Sequence, residues 1–135
     1  MSHLLINIDV PDIKEATRFY VEAFGLKVGR RINNDVVELL GFPSPLFLLE
    51  KKEGSSPYDG ADCSRTFQRH WTPIHLDIVV DSIESAVEMA KSAGARSEGD
   101  IRIAPWGKIA LFSDPFGNGF CLIQFLGKGY DEIAP

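Results

Sequence analysis

Cysteine is nearly absent. Cys63 and Cys121 are the only two in 135 residues, far apart and in no CxxC spacing. That excludes a disulfide framework and a zinc knuckle, and it fits a reducing, cytoplasmic location. Long apolar runs are also missing: nothing approaches the ~18 residues of a membrane span. The opening MSHLLINIDVPD has no basic segment, sustained apolar stretch or small-residue cleavage site, so neither a membrane-bound nor an exported protein is expected. Basic residues are outnumbered, 14 Lys and Arg against 19 Asp and Glu for a net charge of −5, and they are scattered. Without a basic stripe there is no surface for tracking phosphates, and no nucleic-acid partner is expected.

What remains is the composition of a soluble globular protein, 44% hydrophobic and 24% charged. A chain of this length buries roughly two thirds of its unfolded surface on folding, enough for one domain without metal or disulfide staples.

The chain contains an internal repeat. Leu5 to Ala16 (LINIDVPDIKEA) overlays His75 to Ala86 (HLDIVVDSIESA), matching Ile6/Leu76, Ile8/Ile78, Val10/Val80, Ile13/Ile83 and Ala16/Ala86 at a constant offset of 70. Each copy opens with period-two alternation, a strand with one face on a core, and then changes to helical spacing. The helical residues are Ile13, Ala16, Phe19, Tyr20, Ala23 and Phe24 in the first copy, and Ile83, Ala86, Val87, Ala90 and Ala93 in the second. Asp12 with Glu15 suits a capping box; Asp81 with Glu84, or Ser82 alone, can cap the second helix; Gly25 and Gly94 mark the helix ends.

Short β-like runs follow, Leu26 to Ile32 and Arg96 to Ile103. After them come the hairpins VVELL-GFPSP-LFLLE and KIALF-SDPFGNG-FCLIQF. The pattern predicts an α+β fold of two βαβββ modules: module one at 1–50, a polar linker at 51–73, module two at 74–127 and a tail at 128–135.

The segments RFYVEAFGLKV (Arg18 to Val28) and APWGKIALFSDPFGNGFCLIQF (Ala104 to Phe125) resemble the vicinal-oxygen-chelate superfamily, the group of glyoxalases, bleomycin-resistance proteins and extradiol dioxygenases. Members carry a terminal hairpin reading much like DPxGNxxE at this place. The resemblance implies a curved mixed sheet around a cleft between the modules, with the site on the first and last strands of each, and a homodimer. It also implies four metal-ligand positions, which fall here on Leu5, Phe47, His75 and Cys121. Only His75 is of the expected type. Leu5 and Phe47 offer no lone pair, and Cys121 coordinates only as a thiolate. His3 and Glu50 are the residues able to rescue the set, His3 from two positions too early and Glu50 from the opposite strand parity. No cofactor is therefore expected, and a divalent metal stands as the alternative.

Asn7 and Asp77 share a strand face with Leu5 and His75. They serve either as ligand-orienting groups or as polar residues satisfied by water and backbone. His75 can be a pocket residue or a structural histidine, and Cys121 can be a small buried hydrophobe. Trp106, in APWG, suits an aromatic wall or ordinary edge packing. In the linker, Arg65, Arg69, His70 and Trp71 can close over the cleft or remain solvated.

The expected ligand-binding set is thus Leu5, Asn7, Phe47, Leu49, His75, Asp77, Trp106, Cys121 and Ile123. It would hold a small, partly aromatic or amphipathic molecule without the four-ligand metal site. The alternatives are a metal-dependent lyase, isomerase or dioxygenase of the glyoxalase type, and an enzyme using His75 and Asp77 as its catalytic pair without metal.

Overall fold

Period-two alternation becomes strand with one face against a helix, in both copies of the repeat. The computed structural model describes residues 1–135. The chain divides into two compact units, Met1–Gln68 and Arg69–Pro135, each with its own sheet. The division falls inside the expected linker, so 51–68 belongs to the first unit and 69–73 to the second.

The first unit contains β1 (Ile6–Val10), α1 (Ile13–Phe24), β2 (Lys27–Ile32), β3 (Val36–Leu40) and β4 (Leu46–Glu50), in sheet order β1-β4-β3-β2. β1 and β4 are parallel and the rest antiparallel, because a helix and a hairpin intervene before the chain returns beside its first strand. The second unit contains β5 (Leu76–Val79), α2 (Ile83–Ala93), β6 (Arg96–Ser97), β7 (Arg102–Ala104), β8 (Gly107–Ser113) and β9 (Gly119–Phe125). Its order is β5-β9-β8-β6, with β7 also on β8 and the β5–β9 pair parallel. The single run expected from Arg96 to Ile103 is thus two short strands, interrupted by the turn around Gly99.

Each helix covers one sheet face. In the first unit Ala16, Phe19, Tyr20 and Ala23 of α1 are buried together with Val10, Val37, Leu39, Leu46 and Leu48. In the second, Ile83, Ala90 and Ala93 of α2 are buried with Ile78, Ala110, Phe112, Phe120 and Leu122. Fully burying one such large side chain stabilises the fold by roughly 1.5–3 kcal/mol. Strand pleating then puts Asn7 and Phe47 on the other face of the first sheet, and Asp77 and Cys121 on the other face of the second.

The caps agree with the sequence. Asp12 Oδ1 accepts from the backbone N–H of Lys14 and Glu15, the Ser82 hydroxyl accepts from Ser85 N–H, and Gly25 and Gly94 close the helices in the left-handed region. Two further caps come from distant strands. Glu50 Oε2 accepts from Ile13 N–H at 2.8 Å and Gln124 Oε1 from Ile83 N–H at 2.9 Å. These are repeat-equivalent residues satisfying equivalent orphan donors at the two helix starts. Glu50 therefore points to α1 and does not rescue a metal set. No helix is long and apolar enough to cross a membrane.

Candidate functional site

The open face of the second sheet concentrates the chemistry. His75 immediately precedes β5 and Asp77 lies two residues on, so pleating sends both side chains to one side; Cys121 sits opposite Asp77 in the β5–β9 register. His75 Nε2 lies 3.1 Å from Asp77 Oδ1. The donor atoms of His75, Asp77 and Cys121 all lie within 4.8 Å of one another. Burial, then the charge and hydrogen bonding of Asp77, push the Cys121 thiol up to about 11. It is a neutral S–H at physiological pH and not a free nucleophile.

Beside this trio is a cavity of about 190 Å3, lined by Arg69, His70, Trp71, Thr72, His75, Glu98, Leu111, Phe112, Gly119, Phe120 and Cys121. Residues 69–72 come from the expected linker; Arg69 and His70 are tied down by hydrogen bonds, while Trp71 is exposed. Arg69 binds Glu98 through two hydrogen bonds, Nε–Oε2 at 2.5 Å and Nη2–Oε1 at 2.9 Å, and its Nη1 also donates to the His70 carbonyl. The guanidinium holds the Glu98 carboxyl below the usual carboxylate range. His70 N–H donates to Gly117 O at 3.1 Å, and His70 Nε2 donates to Asn118 Oδ1 at 3.0 Å.

The receiving turn is the DPFGN segment. Asp114 is buried; its Oδ1 accepts from Phe116 and Asn118 N–H, and its Oδ2 accepts from the Asn118 amide. The turn signature thereby becomes a rigid platform for the strap above it. Gly119 completes the fit, since a Cβ there would lie 2.6 Å from Arg69 Nη2.

The first unit places its expected residues differently. Asn7 and Leu5 are exposed, Phe47 is buried, and Leu49 is half-buried. Opposite Phe47 stands Glu38, buried and held by Arg30 through Nε–Oε1 at 3.0 Å, Nη2–Oε2 at 2.6 Å and the Arg30 N–H at 3.0 Å. These bonds lower its carboxyl to about 2, making it a fixed anion and not a base. This unit also has a larger groove of about 420 Å3, lined by residues of α1 with Val28 and Arg31. In that groove Arg18 is engaged by Glu15 and Glu22. Size favours the groove, but the convergence of His75, Asp77 and Cys121 favours the second unit's cavity, and site chemistry carries more weight than volume.

Trp106 packs against Phe125 and Tyr130, with ring centroids 6.1 and 5.3 Å apart, and does not line the 190 Å3 cavity. Ile123 shares a face with Cys121 but is only 2% exposed and also lies outside that lining. Sequence reasoning missed Thr72, Glu98, Leu111, Phe112, Gly119 and Phe120. Glu98 lies 29 residues from its partner Arg69, and the only sequence signal available was its position within the run Arg96 to Ile103.

A family model for a glyoxalase-like domain matches residues 5–123. The chain belongs to the glyoxalase-like family, within the vicinal-oxygen-chelate superfamily. Solved structures agree in fold. The fosfomycin resistance protein FosX of Listeria monocytogenes has a TM-score of 0.73 at 18% identity, covering 99% of each chain. TioX of a Micromonospora species has a TM-score of 0.70 at 16% identity, covering 93% of this chain and 100% of its own. A glyoxalase/bleomycin resistance/dioxygenase family enzyme of Burkholderia phytofirmans has a TM-score of 0.70 at 20% identity, covering 90% and 97%. No curated protein matches the chain in sequence.

Of the four positions that the superfamily resemblance assigns to metal ligands, the two on Leu5 and Phe47 carry no donor atom. The polar atoms that do converge are those of His75, Asp77 and Cys121.

Proposed function

We propose that this glyoxalase-like protein binds a small, partly aromatic or amphipathic organic molecule at the second unit's cavity, without the four-ligand metal site of its metal-dependent relatives. The observation that carries the reading is the lining. Leu111 and the exposed Trp71 supply apolar surface, while His75 and the Arg69–Glu98 pair supply polar groups at the same opening. A concave, largely apolar site with a few placed polar groups is the ordinary form of a small-molecule site. Asp77 lies beside the imidazole, so His75 and Asp77 offer adjacent polar atoms to a ligand. Leu5, Asn7, Phe47 and Leu49 do not line this cavity, and the proposal rests on the second unit alone.

The test uses fluorinated benzoate- and aniline-type fragments observed by 19F NMR. Binding should weaken about fivefold in His75→Ala, the loss of one hydrogen bond of roughly 1 kcal/mol, and vanish when Thr72→Trp fills the opening. Wild-type affinity in both variants would overturn the assignment.

The second reading is a metal-dependent lyase, isomerase or dioxygenase, and the convergence of three donors favours it. Homodimerisation is proposed from the sheet edges β1 and β5, each paired on one side within its own sheet; light scattering that gives a monomer mass at micromolar concentration counts against it. The net charge of −5 supports a non-nucleic-acid partner, and the two unpaired cysteines support a cytoplasmic setting.

A further inference from the structure

We propose that the groove between α1 and β2 of the first unit binds an aliphatic monocarboxylate of medium chain length. The site is separate from the second unit's cavity and does not rest on the function proposed for it.

The groove has an aliphatic floor because one flank of α1 lies beyond the reach of the sheet. Ala16, Phe19, Tyr20 and Ala23 are buried against the core, whereas Ile13, Thr17 and Val21, spaced i, i+4 and i+8, are only half-buried. Facing them is β2, the edge strand of its sheet, whose Val28 is 38% exposed. These four residues line the groove of about 420 Å3, and Thr17 donates its hydroxyl hydrogen away to Ile13 O at 2.6 Å. An apolar trough open to solvent favours an apolar occupant.

The rim is cationic. Val28 and Arg31 pair with Leu39 and Val37, two buried residues on the helix-covered face of β3, with a bulge between them. In regular pleating a residue three places after Val28 points to the opposite face; the bulge turns Arg31 back toward the helix. Arg30 points instead to the open face, where it holds Glu38. On the helix side of the groove stand Lys14, Arg18 and Glu22. Arg18 and Glu22 pair at 2.8 Å and offset each other. Lys14 and Arg31 are exposed and make no side-chain hydrogen bond or ion pair within the chain. Two unengaged cations beside an apolar floor, in a chain of net charge −5, are complementary to one anionic head group.

Head and tail have separate places. β2 runs in the direction of β1, since β1 and β4 are parallel and the two intervening pairs antiparallel. The helix that carries the chain back between them therefore runs opposite to β2. Val21 lies level with Val28 and Lys14 with Arg31, because seven residues of helix and three of strand both span about 10 Å. The carboxylate sits between Lys14 and Arg31, and its chain runs past Thr17 and Val21 to Val28. From Ile13 to Val21 the floor is about 12 Å long, which suits about eight to ten extended carbons. A short rigid aromatic acid leaves much of this floor uncovered, and an anionic membrane surface is opposed by the chain's net negative charge. The lining has no histidine or cysteine and its one carboxylate is paired, so the groove binds and does not react.

The test titrates 15N-labelled protein with sodium octanoate below its micelle concentration. Amide shifts should move saturably at Ile13–Arg18, Val21, Glu22, Val28 and Arg31. 1-Octanol, of equal length and without charge, should bind about tenfold more weakly, and Lys14→Gln and Arg31→Gln should each weaken octanoate about threefold, the scale of one exposed charge pair. Arg31→Lys should restore most of the loss, and added salt should weaken binding of octanoate but not of octanol. Unmoved groove amides, shifts confined to the second unit's cavity, or equal affinity for octanoate and octanol would overturn the proposal. So would co-sedimentation with phosphatidylglycerol vesicles by a protein that ignores free octanoate. Because the readout lies on amides of the first unit, this site and the cavity of the second can each fail alone.

Discussion

Alkylation of Cys121 offers a quantitative view of the second unit's polar trio. A thiol raised to about 11 is about 0.1% thiolate at pH 8, whereas free cysteine at about 8.5 is roughly a quarter ionised. That alone slows reaction by about 240-fold. A more basic thiolate is the better nucleophile, however, and with a Brønsted slope of about 0.45 the gain over 2.5 units is about 13-fold, leaving a net slowing of about 20-fold. Steric cover at the half-buried sulfur slows it further. The assay is iodoacetamide labelling of the Cys63→Ser protein followed by intact-mass spectrometry, against free cysteine in the same buffer. Asp77→Asn removes the charge while leaving burial and an amide oxygen in place, so the rate should recover several-fold but not fully, since burial is the largest cause of the shift. Labelling of wild type at the free-cysteine rate, or no response to Asp77→Asn, would refute the Asp77–Cys121 coupling.

Acid should expose the Arg30–Glu38 pair. Its carboxyl lies at about 2 against an ordinary 4.5, so its stabilisation is complete above about 4.5 and is lost as pH falls toward 2; the urea midpoint of wild type should fall more steeply over that window than that of Glu38→Gln. Gly107→Ala should destabilise by roughly 2–4 kcal/mol, because the residue has φ near +150° and a Cβ would collide with Gln124 O; an unchanged thermal midpoint contradicts this. Glu50→Ala and Gln124→Ala should each cost about 1 kcal/mol in denaturant unfolding through loss of equivalent helix caps, and a near-zero cost for both would deny the caps a role.

Much of the fold was legible in the sequence because its signals are local. Asp12, Ser82, Gly25 and Gly94 act within one or two turns of their own helices, and the offset of 70 needs no tertiary knowledge. The helix caps from Glu50 and Gln124 were not legible, since each reaches 37 or 41 residues back along the chain. The site was half legible. Alternation placed His75 and Asp77 on one face, but the β5–β9 register that sets Cys121 beside Asp77 joins residues too far apart for pattern to fix. The linker's role was open in the sequence: Arg69 and His70 suit either a cover or solvated surface, and only Glu98 and the Asp114-centred turn, remote in sequence, hold them beside the cavity. Trp106 illustrates the converse. Its loop context suits a ligand wall, but Phe125 and the C-terminal Tyr130 supply partners that APWG alone does not reveal.

The most direct test of the central claim, that function resides on the second unit's open face, is backbone amide shift mapping during titration with the tightest-binding fluorinated fragment. The account predicts perturbations clustered at Arg69–Thr72, His75, Leu111, Phe112 and Gly119–Cys121. Perturbations confined to the first unit's groove, at Ile13–Arg18, Val21, Val28 and Arg31, would contradict it.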